Sequence, residues 1–381
     1  MHTPAPKQVL IIGAGLTGST LTHYLSHLPN GNQLRLTLWE RSGGPGGRFS
    51  TVRSQQPPGA AIIDDGAQYI TRGAGTHAPD GALYDALLSH GVIEKYTGVI
   101  AGAKPGSEAQ ENYVCRDGMS SVAQHLLKGT PVEYERCAVE LSAKADRWCV
   151  TDTAGQTAEF DAVVVTSPVP QLLELQGEAL HALLAPHREA LGRVASRYSQ
   201  RFAACVYYDE AAWAHFEAVP WASAYVKPPE GGSTSLVYVS IEPRKRQLEP
   251  AAAAPALLLH SSVPFGFKNA EKSPAEVLPT MLADLDKVVP GLPAPTHAVA
   301  SRWKISQVPA PEAEMRGVTG VVPGAEDGAL LLQSSTETEA AALPPLVLAG
   351  DGFVGSNFDN CARSGRAAAA KLVAALFPDA E

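Results

Sequence analysis

Val9-Leu10-Ile11-Ile12-Gly13-Ala14-Gly15-Leu16-Thr17-Gly18-Ser19 is the stretch whose reading decides the fold. The apolar run over residues 8–12 stops at glycine, as a buried parallel strand does. Leu16, Leu21, Leu25 and Leu28 then recur at helical spacing, which predicts a helix ended by Pro29-Asn30-Gly31. Leu34, Leu36 and Leu38 alternate through a second strand over residues 34–39. The three elements make a βαβ unit, and the glycines sit at its first turn. Gly13 permits the tight turn, Gly15 lets the backbone approach a pyrophosphate, and Gly18 lets helix pack closely on strand. The helix N-terminus adds unpaired N–H groups and a positive dipole end. Glu40 follows 22 residues after Gly18, where a carboxylate can accept from ribose hydroxyls. A glycine pattern alone is only a tight turn; in this setting it specifies a dinucleotide site.

Two further clusters bear on which dinucleotide. Gly43-Gly44-Pro45-Gly46-Gly47-Arg48 offers a second close backbone approach to phosphate, with a cation beside it. Elsewhere the same run would read as a surface turn with a solvated arginine. Ala349-Gly350-Asp351-Gly352-Phe353 lies between an apolar strand, residues 346–349, and a final helix expected over residues 362–376. An aspartate there can bind a ribityl hydroxyl, while the helix N-terminus faces a flavin or its phosphate. By itself Asp351 is as well read as a helix cap. Together the three clusters point to FAD rather than NAD. Asp64-Asp65-Gly66-Ala67-Gln68-Tyr69 says little alone.

The 381 residues suggest two domains, and 45% hydrophobic against 18% charged residues supplies a sizeable core. Helices are expected over residues 81–90 and 120–127, and strands over 132–137, 139–143, 148–153 and 160–166. The runs at 202–208, 236–241 and 257–262 read as a mainly antiparallel sheet. The fold class is therefore α/β, a Rossmann-type FAD-binding domain with a mainly antiparallel β substrate domain. The first is expected to take residues 1–72, 112–168 and 340–381, and the second residues 73–111 and 169–339. A Pro/Gly loop is expected over residues 55–59. Residues 309–345, rich in Pro, Ala, Gly, Glu and Thr, read as a long mobile surface loop with a hairpin around residues 330–333. A net charge of −9 argues against a nucleic-acid partner. Five scattered cysteines, Cys115, Cys137, Cys149, Cys205 and Cys361, form no metal-ligand or disulfide pattern, so no metal is expected. No apolar run is long enough for a bilayer, and residues 1–7 are polar rather than signal-like. A cytoplasmic location follows as the expectation.

With these motifs in view the chain resembles the two-dinucleotide-binding flavoproteins that include monoamine and polyamine oxidases, and within them the renalase family. The resemblance runs nearly end to end. It includes the N-terminal stretch, Asp65–Thr71, Thr166–Gly177, Ser196–Ser199, Val219–Ala222, Val239–Ile241, Ser262–Gly266, Trp303–Val308 and Gly350–Cys361. It departs mainly over residues 309–345. It implies that Gly13, Gly15, Thr17, Gly18, Glu40, Gly47 and Arg48 line the adenosine diphosphate half of FAD, and that Ala138 meets the adenine through its backbone. It brings Gln68 and Tyr69 to the isoalloxazine or ribityl chain, and Asp351, Phe353, Asn357 and Phe358 to the ribityl and flavin end. Tyr225, His260 and Trp303 are implied to wall the substrate cavity, although each also reads as an ordinary core residue. Cys361 lacks the setting of a covalent flavin attachment, so FAD is expected to be noncovalent. The implied activity is oxidation of 2- and 6-dihydroNAD(P) to NAD(P)+ by hydride transfer to flavin N5, with O2 reduced to H2O2. The expected partners are a dihydronicotinamide and O2, with no membrane. An amine or polyamine oxidase, or an FAD-containing binding protein with vestigial activity, are the alternatives.

Overall fold

The structure is a computed structural model that describes residues 5–54, 61–73, 80–105, 110–230, 232–248, 253–310, 322–333 and 343–378. The chain forms two compact units. One comprises Met1–Gly47, Ala123–Tyr198 and Gln307–Glu381; the other comprises Arg48–Val122 and Ser199–Ser306. This differs from the division read from sequence. Residues 48–72 and 112–122 fall in the second unit because Ile70–Arg72 pairs antiparallel with Glu111–Val114 and Asp64 is bonded to Lys245 and Arg246. Residues 169–198, and those from 307 to 339, fall in the first, where Gln176 exchanges backbone hydrogen bonds with Val139 and Leu141 and Ala329–Leu332 pairs with Leu346–Ala349. Among the described residues, no helix is long and apolar enough to cross a membrane.

The first unit is built on a six-stranded sheet in the order Ala329–Leu332, Leu346–Ala349, Ala162–Val165, Lys7–Ile12, Leu34–Trp39 and Val132–Glu133. Every pair is parallel except the first. Residues 162–165 and 346–349 are wholly buried, which is why they read as continuous apolar runs rather than alternating ones. Leu16–His27 and Phe358–Leu376 cover the sheet, and Leu21, Leu25, Ala368, Ala369 and Leu372 close its core. Burying a leucine there stabilises by about 1.5–3 kcal/mol. The two helices meet at Gly365, where a Cβ would stand 2.4 Å from Thr20 Oγ1 and 2.8 Å from Leu21 N.

Several expectations are corrected. The last helix begins at Phe358 rather than residue 362, because Asn357 Oδ1 accepts from Asn360 N at 2.7 Å and caps it. The run 132–137 is strand only over Val132–Glu133; Glu135 then takes a left-handed φ of 57°, and the segment wraps Glu40 and Ser42 with backbone bonds. The run 160–166 is two strands. Thr157–Phe160 closes a three-stranded antiparallel sheet, and Ala162–Val165 enters the parallel one. Asp161 marks the break by exchanging bonds with Gln8, its carboxylate accepting from Gln8 N at 2.6 Å. Within residues 309–345 the described part holds a strand, Ala329–Leu332, at the place of the hairpin expected around residues 330–333; it is a buried edge strand paired antiparallel with Leu346–Ala349 rather than part of a surface loop. Residues 311–321 and 334–342, like the expected loop at 55–59, lie outside the described residues.

The second unit carries a six-stranded sheet in the order His297–Trp303, Arg201–Tyr207, Ala256–Ser261, Leu236–Ile241, Ser223–Tyr225 and Ile100–Ala101, antiparallel but for the last pair. Period-two alternation sorts Ala256–Ser261 by face. Leu257 and Leu259 join Val277, Met281 and Leu285 in one core, whereas Ala256 and Leu258 join Ile63, Cys205, Tyr238 and Trp303 on the other. Met281 and its neighbours lie on Pro274–Val288, a helix the sequence reading passed over. It opens with a capping box between Ser273 and Glu276.

Candidate functional site

In the first unit, two glycine turns abut. Gly46 N donates to Ala14 O at 2.9 Å, and Gly15 and Gly46 form a bridge. Gly13 takes φ 107° and Gly47 takes φ 57°, both in the left-handed region where a side chain is strained. At Gly18 a Cβ would sit 2.1 Å from Gly13 O, so only glycine allows this helix-to-strand approach. Gly15 is different. Among the described residues a Cβ there would meet Gly46 O alone, at 3.9 Å, and would otherwise fill the open cradle in front of Leu16–His27. That helix opens with no side-chain cap, so its N-terminal N–H groups are left to a ligand. An anionic pyrophosphate fits this arrangement.

Glu40 stands beside the cradle, buried at the end of Leu34–Trp39. Its Oε2 accepts from Ala14 N at 2.9 Å, and its Oε1 accepts from Ser42 N at 2.9 Å and Ser42 Oγ at 2.7 Å. Three of about four acceptor positions on a carboxylate are thus taken, leaving one for a ribose hydroxyl rather than two. Arg136 lies over the Trp39 ring at 3.7 Å and is held by Asp152. Ala138 opens the strand Ala138–Lys144 opposite Asp152. Thr17 lies buried in the first turn of its helix.

The second cluster of this unit surrounds Asp351. Its carboxylate accepts from Tyr198 Oη at 2.8 Å and from Ser356 Oγ at 2.5 Å, and it makes no side-chain helix cap. Phe353 and Phe358 are buried, and Asn357 is exposed with its side-chain oxygen committed to the helix cap. Tyr198 was not singled out from sequence; nothing local marks a tyrosine that reaches across 153 residues.

In the second unit, Gln68, Tyr69, Tyr225, His260 and Trp303 come together around one short segment. The Asp65 carbonyl accepts from both His260 Nε2 and Trp303 Nε1 at 2.9 Å, which uses both its lone pairs. Gln68 Nε2 lies 2.8 Å from His260 Nδ1 and also donates to Gly66 O. Tyr69 and Tyr225 share a hydroxyl–hydroxyl bond of 2.6 Å, and their rings approach those of Tyr96 and Tyr238 at 5.9 and 5.3 Å. Burial, then Tyr225, pushes the Tyr69 phenol well above its usual range, and burial lowers His260 to about 4. Both are therefore neutral at physiological pH. Arg48 belongs to this unit: its Nη1 donates to Ser306 O at 3.0 Å, and its carbonyl accepts from Ala67 N at 2.8 Å.

Beneath the segment lies a buried ion quartet. Asp64 Oδ2 accepts from Lys245 Nζ at 2.8 Å and Arg246 Nη2 at 2.9 Å, and Glu242 binds the same two cations at 3.0 and 2.9 Å. All four side chains are at most 1% exposed. Met119 N and Thr51 Oγ1 each donate to Asp64 Oδ1 at 2.8 Å. Burial alone would raise Asp64, but Lys245 and Arg246 outweigh it and hold the carboxyl below its ordinary value. Asp65, one residue on, is raised by burial, which the hydrogen bond from Ser50 does not offset. Sequence reading missed the quartet, since Glu242-Pro243-Arg244-Lys245-Arg246 looks like a solvated turn.

Comparison with known proteins follows the same lines. Residues 103–373 match the family described as flavin containing amine oxidoreductase, and residues 11–87 match the NAD(P)-binding Rossmann-like domain. Renalase from Mus musculus is 33% identical over 360 residues, 94% of this chain and 96% of that protein. Among solved structures, a protein assigned as a protoporphyrinogen oxidase from Exiguobacterium sp. 255-15 superposes with a TM-score of 0.66 at 13% identity, covering 96% of this chain and 98% of that one. A putrescine oxidase variant with redesigned cofactor binding gives 0.60 at 12% identity, covering 97% and 99%. At such identities these two speak to fold alone. The chain therefore belongs to the flavin-containing amine oxidoreductases, as a renalase-like, FAD-dependent oxidoreductase.

Proposed function

We propose that the enzyme oxidises the 2- and 6-dihydro isomers of NAD(P)H to NAD(P)+, with O2 as final acceptor and H2O2 as product. One proton is consumed per turnover, since the dihydronicotinamide, O2 and H+ together give NAD(P)+ and H2O2. The observation that supports this reading is the weak basicity of the described side chains in the second-unit cluster: burial holds His260 at about 4, its Nδ1 is engaged by Gln68, and Tyr69 stays protonated. A dihydropyridine needs no base, because losing hydride restores an aromatic ring, whereas an alcohol must also lose a proton. When bound, noncovalent FAD supplies the two-electron acceptor and the route to O2. The Gly15–Gly47 cradle would hold its pyrophosphate, Glu40 its adenosine ribose and Asp351 its ribityl chain. Tyr225 and Trp303 would orient the substrate ring, and a one-carbon shift of the donor position costs on the order of 10²-fold in rate.

Anaerobic single-turnover reduction tests the reading. The 2- and 6-isomers are expected to reduce the flavin about 10²-fold faster than 4-dihydroNADH. Trp303→Ala and Tyr225→Phe should slow that step while FAD stays bound. Equal rates for all three isomers would overturn the substrate assignment. Rapid reduction by a polyamine would move the enzyme to the amine-oxidase branch, and reduction by neither would leave a binding protein.

A further inference from the structure

The hydrogen bonds around His260 leave its ring a single arrangement. Nε2 faces the Asp65 carbonyl oxygen at 2.9 Å, and a carbonyl only accepts, so Nε2 carries the proton. His260 sits on Ala256–Ser261, packed near the Tyr238 ring at 6.4 Å, with Arg201 and Lys245 as the nearby charges. Burial and those two cations disfavour a second proton, which leaves Nδ1 a bare acceptor at neutral pH. Gln68 Nε2 stands 2.8 Å from that Nδ1 and donates as well to the Gly66 carbonyl. Both neighbours accept, so the Gln68 amide must turn its NH2 toward them. A flipped amide would set Oε1 against two acceptors and forfeit both bonds. Oε1 is thereby fixed on the opposite side, and none of the described residues donates to it.

We propose that Gln68 presents the site with one fixed hydrogen-bond acceptor, its Oε1, for an N–H donor, and that His260 is the positioning residue that sets it. The chain of orientation runs from the Asp65 carbonyl through the imidazole to the amide, and each link is directional. The donor is either an N–H of the reduced flavin or the primary amide of a nicotinamide. Only the second source rests on the dihydronicotinamide reading.

The experiment uses the FAD-loaded protein and reads three quantities. Histidine 15N NMR should show His260 as the Nε2–H tautomer with no titration above about pH 5; the Nδ1–H tautomer, or an imidazolium at neutral pH, overturns the proposal. Gln68→Leu then separates the donors. A Kd for NAD+ raised about tenfold at unchanged flavin potential identifies the nicotinamide amide. A reduced-to-oxidised partition shifted about tenfold, about 30 mV lower for a two-electron couple, identifies the flavin. If both stay at wild-type values, the proposal fails. His260→Gln can donate to Asp65 O and accept from Gln68, so it should keep wild-type values, while His260→Leu should reproduce Gln68→Leu. Wild-type behaviour in His260→Leu would remove the positioning role. Should wild type not bind NAD+ at all, the substrate reading falls, and the tautomer and potential still decide this one.

Discussion

The Gly13–Gly18 turn and the Asp64–Tyr69 segment both aim backbone groups, but by opposite means. The turn owes its shape to missing side chains. Gly18 admits Gly13 O at a distance no Cβ would tolerate, and Gly15 leaves its front open. The segment owes its shape to side chains drawn from far along the chain: Lys245 and Arg246 grip Asp64, and His260 and Trp303 saturate the Asp65 carbonyl. Two neighbouring aspartates consequently differ in character, Asp64 lowered by its cations and Asp65 raised by burial. A local device can be built, and lost, within six residues. A device assembled from remote side chains fails whenever one distant partner is removed.

That contrast can be broken most sharply at the quartet. Asp64→Asn leaves Lys245 and Arg246 buried with one carboxylate between them and should cost about 3–5 kcal/mol in urea unfolding. Asp65→Asn, which removes an unfavourably buried charge, should cost far less; equal losses would show that the quartet does not hold the segment. The pH dependence of stability comes next. The folded-state value of His260 is about 4 against an ordinary 6.5, so below pH 6.5 the unfolded chain binds the extra proton first. Stability is fully present above 6.5 and should fall by up to about 3 kcal/mol as the pH drops toward 4, with a flatter profile in His260→Gln. Asp64 adds a separate loss only as the pH falls below its unfolded value near 3.8. On the glycine side, Glu40→Ala should weaken FAD binding by roughly 1.5–3 kcal/mol, read from the recovery of flavin fluorescence on dilution. The smallest effects discriminate the glycines. Gly18→Ala should lower apoprotein stability by about 1–3 kcal/mol. Gly15→Ala should leave it within about 0.5 kcal/mol yet impair FAD binding. If Gly15→Ala unfolds the apoprotein as readily as Gly18→Ala, the cradle is not open.

What could be read from sequence follows the same division. Residues 8–40 declare their unit because strand, turn, helix and acid are adjacent in the chain, and the observed Leu34–Trp39 and Leu346–Ala349 match the expected spans. Errors arose where a side chain overrides the apolar pattern. Asn357 starts a helix ahead of its apolar stripe, Asp161 cuts a continuous β-branched run, and Glu135 turns the chain in an otherwise strand-like stretch. Pro274–Val288 was legible through Ser273 and Glu276 and was passed over. The burial of Lys245 and Arg246 was not legible at all, since their partner Asp64 lies 181 and 182 residues away. Tyr225, His260 and Trp303 were named through resemblance, while their convergence on residues 65–69 is a property of the folded chain.

The seam at Gly365 has a consequence for synthesis on the ribosome. The glycine turn is made well before the segments that enclose it, for its helix is covered by Phe358–Leu376 and its sheet is joined by Leu346–Ala349. The nascent βαβ unit over residues 7–39 must therefore wait, with one apolar helix face uncovered, until Phe358–Leu376 has emerged. Cofactor loading is accordingly a late event in biogenesis. A translation pause or premature stop ahead of residue 346 should yield a product that carries the complete glycine motif, binds chaperones and holds no FAD.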